Sequence, residues 1–360
     1  MRIDRLKLTN FRNYSDLDVG FSDGVNFLYG RNASGKTNIV EAIAYLSLGK
    51  SFRTNEDGAL IRWNEAFARI EANYFRKGTH TLRAVVGEKG KSFELDGIRL
   101  EKLSSLSGEL IALTFIPEDV SLLKDSPSVR RKFLNISLAH LYRRYIRELG
   151  GYKKILKDRN AHLKSETVDP SLLDVFDEQL AAHAYRISSD RRKLLKTLEE
   201  EIQEIYGTLT EEKRKIEIRY LCDFPDIPEQ GAFLEEAKRM YRNEREGDLK
   251  RKMTNAGVHR DDFEIRLDGK NAAEYASQGQ NRLLALSLKL AYGEIVKKQI
   301  GDDPILILDD VLSELDRVHQ ARLSEKLSDY QQVFITSACD EDIGKTNKYQ
   351  VADDLVIRRN

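Results

Sequence analysis

Apolar positions follow different periods along this chain, and each period predicts a different kind of element. Near the N-terminus, Asn26-Phe27-Leu28-Tyr29 reads as a short strand, followed by a glycine-bounded loop and a helix from about Lys36 to Leu48. Residues 82–86 and 92–95 read as a hairpin, with Asp96-Gly97 as a turn signal. From 128 to 205 the spacing turns helical: Leu134, Leu138, Leu141, Tyr145 and Leu149 in one run, then Phe176, Leu180, Ile187, Leu194, Leu198, Ile202 and Ile205 in another. Pro170 sits where the second run should begin a helix. Two helices of roughly 35 residues, each reaching about 50 Å, are expected to pair as an antiparallel hairpin whose apolar stripes pack together. After about residue 251 the strand-and-helix alternation returns. Residues 263–267 form a strand ending at Asp268-Gly269, a helix follows Ser277, and residues 305–308 and 333–336 form two more strands.

The expected architecture is therefore α/β, split by an insertion. Residues 1–125 and 251–360 would build one P-loop sheet with its helices, and 126–250 an inserted, mainly helical lobe with a short antiparallel hairpin. With 360 residues the chain is long enough for a large core. No apolar run approaches bilayer length, and the charged, alternating start lacks a signal-peptide core, so a soluble cytoplasmic protein with no membrane partner is expected. Cys222 and Cys339 lie far apart with no CxxC pair, which argues against a disulfide framework or a zinc site.

The strongest chemical signal is Gly30-Arg31-Asn32-Ala33-Ser34-Gly35-Lys36-Thr37, a full match to G-x-x-x-x-G-K-[ST] with Asn38 just inside the helix. The glycines allow a tight turn in which successive N–H groups face a β-phosphate, and the helix start adds partial positive charge. Lys36 would contact β- and γ-phosphate oxygens of ATP, and the Thr37 hydroxyl would ligate Mg²⁺. A second signal is Pro304-Ile305-Leu306-Ile307-Leu308-Asp309-Asp310. Four consecutive aliphatics suit a strand covered on both faces, and its carboxyl end is where open α/β sheets bind ligands. Asp309 is the expected Mg²⁺ partner of Thr37, and Asp310 the group that orients or deprotonates the attacking water.

The third element is Ser277-Gln278-Gly279-Gln280 ahead of an apolar helix that Ser277 could cap. Together these motifs resemble the S-x-G-Q signature, phosphate loop and Walker B of ABC-type ATPases, with Ser313-Glu314-Leu315-Asp316 in the place of the D-loop. Asn10-Phe11-Arg12-Asn13-Tyr14, Gly49-Lys50-Ser51-Phe52-Arg53-Thr54, Pro117-Glu118-Asp119, Gly257-Val258-His259-Arg260-Asp261-Asp262 and residues 308–316 narrow the resemblance to the RecF family, relatives of the SMC ATPases, over essentially the whole chain. That resemblance implies an ABC-type head, ATP-dependent dimerisation on DNA, recombinational repair with other mediator proteins, and a slow, DNA-stimulated ATPase. It also implies that Ser277, Gln278, Gly279, Gln280, Ser313 and Asp316 meet the ATP held by a second copy, and that Arg12 and Asn13 flank the nucleotide. A turn with a solvated arginine remains an equal reading of Arg12. His259 reads as an ordinary hydrogen-bonded histidine sooner than as a nucleotide contact.

Departures from the pattern are informative. Val258 stands where proline is expected. Asp310 replaces the glutamate of transporter heads, Thr336-Ser337-Ala338 lacks their switch histidine, and the Q-loop role falls to Glu118 or Asp119. These features disfavour the alternative of a transporter subunit and leave open a scaffold that binds ATP with little hydrolysis.

Net charge is zero, with 59 basic and 59 acidic residues, so any DNA contact must come from local asymmetry. Eleven basic residues between 130 and 164 (Arg130, Arg131, Lys132, Arg143, Arg144, Arg147, Lys153, Lys154, Lys157, Arg159 and Lys164) face only Glu148 and Asp158. The following stretch is acidic. Either the two helices neutralise each other, or the first is a rail for DNA phosphates, indifferent to base sequence.

Overall fold

The computed structural model describes residues 1–341, 344–352 and 355–359, and divides into two compact units. The first comprises 1–120, 204–213 and 278–360, the second 121–203 and 214–277. The second unit thus runs on past residue 250 to Ser277, taking in a strand that the sequence pattern assigns to the returning α/β half. Physically, that strand pairs inside the second unit's own sheet.

Two six-stranded sheets form the first unit. One is antiparallel, ordered β2-β1-β4-β5-β6-β7, from β1 (Arg2–Phe11), β2 (Tyr14–Gly20), β4 (Phe67–Phe75), β5 (Thr79–Gly87), β6 (Gly90–Leu95) and β7 (Ile98–Arg99). Buried and exposed positions alternate along β4, as a sheet covered on one face requires. The other sheet is ordered β15-β14-β3-β13-β12-β8, from β3 (Gly24–Tyr29), β8 (Ala112–Phe115), β12 (Ile305–Asp309), β13 (Gln332–Ser337), β14 (Thr346–Ala352) and β15 (Leu355–Arg359). Its strands are parallel except β15, and β12 and β13 are buried at every position, so they carry no alternation. Helix α1 (Lys36–Leu48) packs against strands of both sheets and is buried on nearly every face, which is why its sequence shows no polar stripe. The unit closes with α7 (Gln278–Ile300) and α8 (Arg317–Leu327).

The second unit holds α2 (Pro127–Leu141), α3 (Arg143–His162), most of α4 (Pro170–Thr210), α5 (Gln230–Arg251), the short α6 (Ala272–Tyr275), and a sheet of β9 (Ile216–Leu221), β10 (Asp262–Leu267) and β11 (Lys270–Asn271) ordered β11-β10-β9. The first of the two expected long helices is in fact two. Tyr142 is extended (φ −136°, ψ 107°) and breaks it, and the break brings the buried Tyr145 back so that its hydroxyl donates to Asn135 at 2.8 Å. No proline or glycine marks this point. The antiparallel hairpin is present between α3 and α4: Arg144 meets Asp190, Glu148 meets His183 and Arg186, and Arg159 meets Asp177, so partner numbers fall as the others rise. At 41 residues α4 is about 60 Å long at 1.5 Å per residue, and it opens at Pro170.

The buried heart of this lobe is polar. Arg159, fully buried, donates to Asp177 at 2.8 Å, Asp248 at 2.7 Å and Thr254 at 2.8 Å. Arg191, also buried, donates to Asp261 at 2.7 Å and to the Val258 carbonyl at 2.6 Å. Residues 257–262 are thereby fixed from inside.

Candidate nucleotide site

The chain enters the site from β3 and turns through residues 30–35 into α1. Ala33 (φ 66°) and Gly35 (φ 104°) both take the left-handed conformation that a tight anion-cradling turn uses. Gly35 has no alternative: a Cβ there would collide with the Tyr14 hydroxyl and sit 2.9 Å from Asn13 Nδ2. A Cβ on Gly30 would collide with the Val351 carbonyl. Helix α1 starts at Gly35 without a side-chain cap, so no side chain competes for its first N–H groups. Arg31, Asn32 and Ala33 are exposed at the turn's tip.

Lys36 folds back over the loop, its ammonium donating to the Gly30 carbonyl at 2.7 Å and the Arg31 carbonyl at 2.9 Å. Burial pushes its pKa down, while Asp310 and Asp309 pull it back up. The carboxylates arrive on β12, whose end lies beside those of β13 and β3 in parallel register, Asp309 opposite Thr336 and Thr336 opposite Leu28. Thr37, 272 residues away in sequence, donates its hydroxyl to Asp309 Oδ1 at 2.9 Å. Thr336 donates to the same oxygen at 2.7 Å. Burial raises the Asp309 pKa; the two hydroxyls and the charge of Arg53 oppose that rise.

These residues fit ATP and Mg²⁺. The Ser34 hydroxyl is buried inside the turn with no partner, the loop leaves no room for a Cβ, and Thr37 and Asp309 offer the one hydroxyl and one carboxylate that a phosphate-bound Mg²⁺ usually takes from a protein. Thr37 and Asp309 would hold the metal, which supplies charge neutralisation on the phosphates.

Other expected site residues fall as follows. Asn38 donates to Asn13 at 2.6 Å, which sets Asn13 against the phosphate turn. Arg12 is not a solvated arginine. Its Nε and Nη2 donate to the fully buried Glu41 at 2.9 and 2.6 Å and its Nη1 to the Ala59 carbonyl at 2.8 Å. Ser277, Gln278 and Gly279 are exposed at the start of α7, and Gln280 is half-buried. Arg282, one turn on, donates to the Glu314 carbonyl at 2.9 Å and ties α7 to the segment that holds Ser313 and Asp316. Ser313 donates to the Asp310 carbonyl at 2.9 Å; Asp316 caps α8, accepting from Val318 and His319 N–H at 2.9 and 3.0 Å. Of the two Q-loop candidates, Asp119 is paired with Lys289 of α7 and Glu118 is exposed. His259 is held by Tyr152 at 2.8 Å and the Thr254 carbonyl at 3.1 Å, an ordinary bonded histidine whose pKa burial lowers.

The basic run divides. Arg159 is buried; Arg130 is bound bidentate to Asp262 at 2.6 and 2.7 Å; Arg131 donates to the Asp261 carbonyl at 2.8 Å. Arg130 and Arg131, both half-buried, thus brace residues 261–262. Lys132 is exposed on α2. On α3, Arg143, Arg147, Lys153, Lys154 and Lys157 are exposed on one broad face, and Arg144 is exposed yet paired with Asp190 at 2.5 Å. Three residues that sequence reasoning passed over also shape the site: Glu41, Arg53, whose Nη1 donates to Asn38 at 2.8 Å, and Thr336. Glu41 had a visible signal, being a charge inside an otherwise apolar stretch of α1.

A phosphate turn braced against a carboxylate pair at the end of a parallel sheet, with an antiparallel sheet over the intervening helix, defines an ABC/SMC-type ATPase head. Residues 2–352 match the RecF/RecN/SMC N-terminal domain. The chain is 38% identical to the DNA replication and repair protein RecF of Geobacillus kaustophilus (strain HTA426), covering 100% of this chain and 97% of that one. It is also 38% identical to that of Clostridium tetani (strain Massachusetts / E88), covering 93% and 92%. Among solved structures, the recombination mediator protein RecF-ATP in the RecFOR pathway superposes with a TM-score of 0.92 at 31% identity, covering 99% of this chain and 97% of the other. The chain belongs to the RecF family. An Smc head domain from Pyrococcus furiosus, at 16% identity and TM-score 0.55, shares the fold alone.

Proposed function

We propose that this chain is an ATP-gated DNA-binding protein of recombinational repair and replication-fork maintenance, acting as a homodimeric clamp that hydrolyses ATP slowly. One observation carries the reading: Thr37 and Asp309, distant in sequence, meet at 2.9 Å at the mouth of the phosphate turn. The names of the relatives support the repair role, and a mediator described in the RecFOR pathway supports other recombination mediators as partners. Among the described residues no helix is long and apolar enough to cross a membrane; the repair role of the relatives is what supports a cytoplasmic site of action.

In this reading backbone N–H groups of the turn and Lys36 hold the β- and γ-phosphates, so the triphosphate is fixed before reaction. Asp310 orients a water in line with the γ-phosphorus and takes its proton as the new P–O bond forms; the β–γ bridge breaks and ADP leaves. Asp310 is one methylene shorter than a glutamate, so its reach to that water is poorer and turnover slow. The exposed Ser277–Gln280 helix start of a second copy would close over the γ-phosphate and stimulate hydrolysis when DNA aligns the pair.

Sedimentation with ATP, ADP or no nucleotide, each with and without gapped DNA, tests this directly. The expected result is a dimer with ATP only, retained on DNA, and a monomer for Lys36→Met in every condition. A wild-type chain that sediments identically with ATP and ADP would overturn the gating.

A further inference from the structure

We propose that Thr336 is a positioning residue for ATP hydrolysis, whose single hydroxyl sets both carboxylates of the site at once. This rests on the ATPase reading above. The hydroxyl, in a side chain that is 1% exposed, donates to Asp309 Oδ1 at 2.7 Å and accepts the backbone N–H of Asp310 at 3.1 Å. Asp309 Oδ1 therefore accepts from two hydroxyls, and the Thr336 bond holds the carboxylate where it also meets Thr37.

The second bond matters because of the backbone. Asp310 has φ 55°, a left-handed conformation that aspartate tolerates better than most residues but that still carries a steric cost. Something must hold it there. The Thr336 bond to its N–H does so, and the Ser313 hydroxyl holds its carbonyl at 2.9 Å. The left-handed turn carries the Asp310 side chain off the line of β12. Loss of the Thr336 hydroxyl would free both the metal-side carboxylate and the water-side one. A strand-end threonine thus takes over positioning in a chain whose next residues, Ser337 and Ala338, supply no histidine.

The test compares Thr336→Val, which keeps the shape, with Thr336→Ser, which keeps the hydroxyl, in the full-length chain, with melting temperatures recorded for both. Thr336→Val is expected to lower kcat roughly tenfold to a hundredfold, the loss typical of a misplaced catalytic group, with KM for ATP changed far less. It is also expected to raise the magnesium concentration needed for half-maximal ATP binding, measured by equilibrium binding without turnover. Thr336→Ser should restore both. Adding Asp310→Asn to Thr336→Val should slow hydrolysis by less than the product of the two single losses, because part of the Thr336 effect runs through Asp310. If Thr336→Val does not fold, Thr336→Ala serves in its place. Unchanged kcat and magnesium dependence in Thr336→Val, equal damage in Thr336→Ser, or additive losses in the double variant would each overturn the role. A wild-type chain that binds no ATP would instead remove the ATPase reading itself, and this role with it.

Discussion

Asp309 is a carboxylate that the fold buries at a cost. Its pKa is raised by burial, so the folded chain holds a proton there more readily than the unfolded chain does. Stability from this group is complete below the ordinary aspartate range and is lost as pH rises through the raised value. Above that value the carboxylate is charged as well as buried, a cost that the hydroxyls of Thr37 and Thr336 and the charge of Arg53 offset only in part. Asp309→Asn is expected to melt higher than the wild type in the absence of nucleotide. That advantage should grow as pH rises out of the carboxylate range and then level off, while magnesium-dependent ATP binding is lost. Thermal melts across pH check the first, equilibrium binding the second. Arg159 is a buried charge that does have carboxylate partners. It neutralises Asp248, and Asp177 together with Arg245, inside the helical lobe, and Arg159→Leu would leave the buried Asp248 without its arginine partner. The expected loss is on the order of 3–5 kcal/mol in urea unfolding.

At the scale of elements, legibility followed burial pattern. The phosphate turn, α1, β12 and β13 were readable because spacing and apolar runs are dictated by a glycine turn and a doubly covered sheet. Helix α5 was not, because about half of its residues are charged and it buries Phe233, Ala237 and Tyr241 along one narrow seam; strand β9 is a short IEIRYL segment with a single buried position. The break at Tyr142 was invisible for another reason: tertiary bonds cause it, not local propensity. The basic run shows the same limit. Sequence counts charge but cannot tell a half-buried brace such as Arg130 from an exposed lysine such as Lys154. The exposed face of α3 is where DNA phosphates would lie. Reversing Arg147, Lys153, Lys154 and Lys157 to glutamate should weaken DNA binding, and the dependence of log K on log salt should flatten by about 0.9 for each duplex phosphate no longer neutralised. Reversing Arg130 or Arg131 should unfold the lobe instead. Fluorescence anisotropy at several salt concentrations, with circular dichroism on each variant, separates the two.

For the whole molecule, the proposed reading calls on two copies. Lys36, Thr37 and Asp309 converge, while Ser277, Gln278 and Gly279 stand exposed at the start of α7. A helix start offers N–H groups to an anion, and two copies related by a two-fold axis would each lend theirs to the other's nucleotide. ATP would then stabilise the pair by its differential affinity for the closed form, and ADP, lacking the bridging phosphate, would not. Ser277→Arg places a long side chain where the opposing phosphate must approach, without touching the turn that grips the nucleotide. ATP affinity of the single copy should remain within about threefold, a change worth under 1 kcal/mol, while ATP-induced dimers disappear in analytical ultracentrifugation. Dimers that persist with ATP in Ser277→Arg would mean that the copies meet through another surface, and the exposed signature would lose its place in the mechanism.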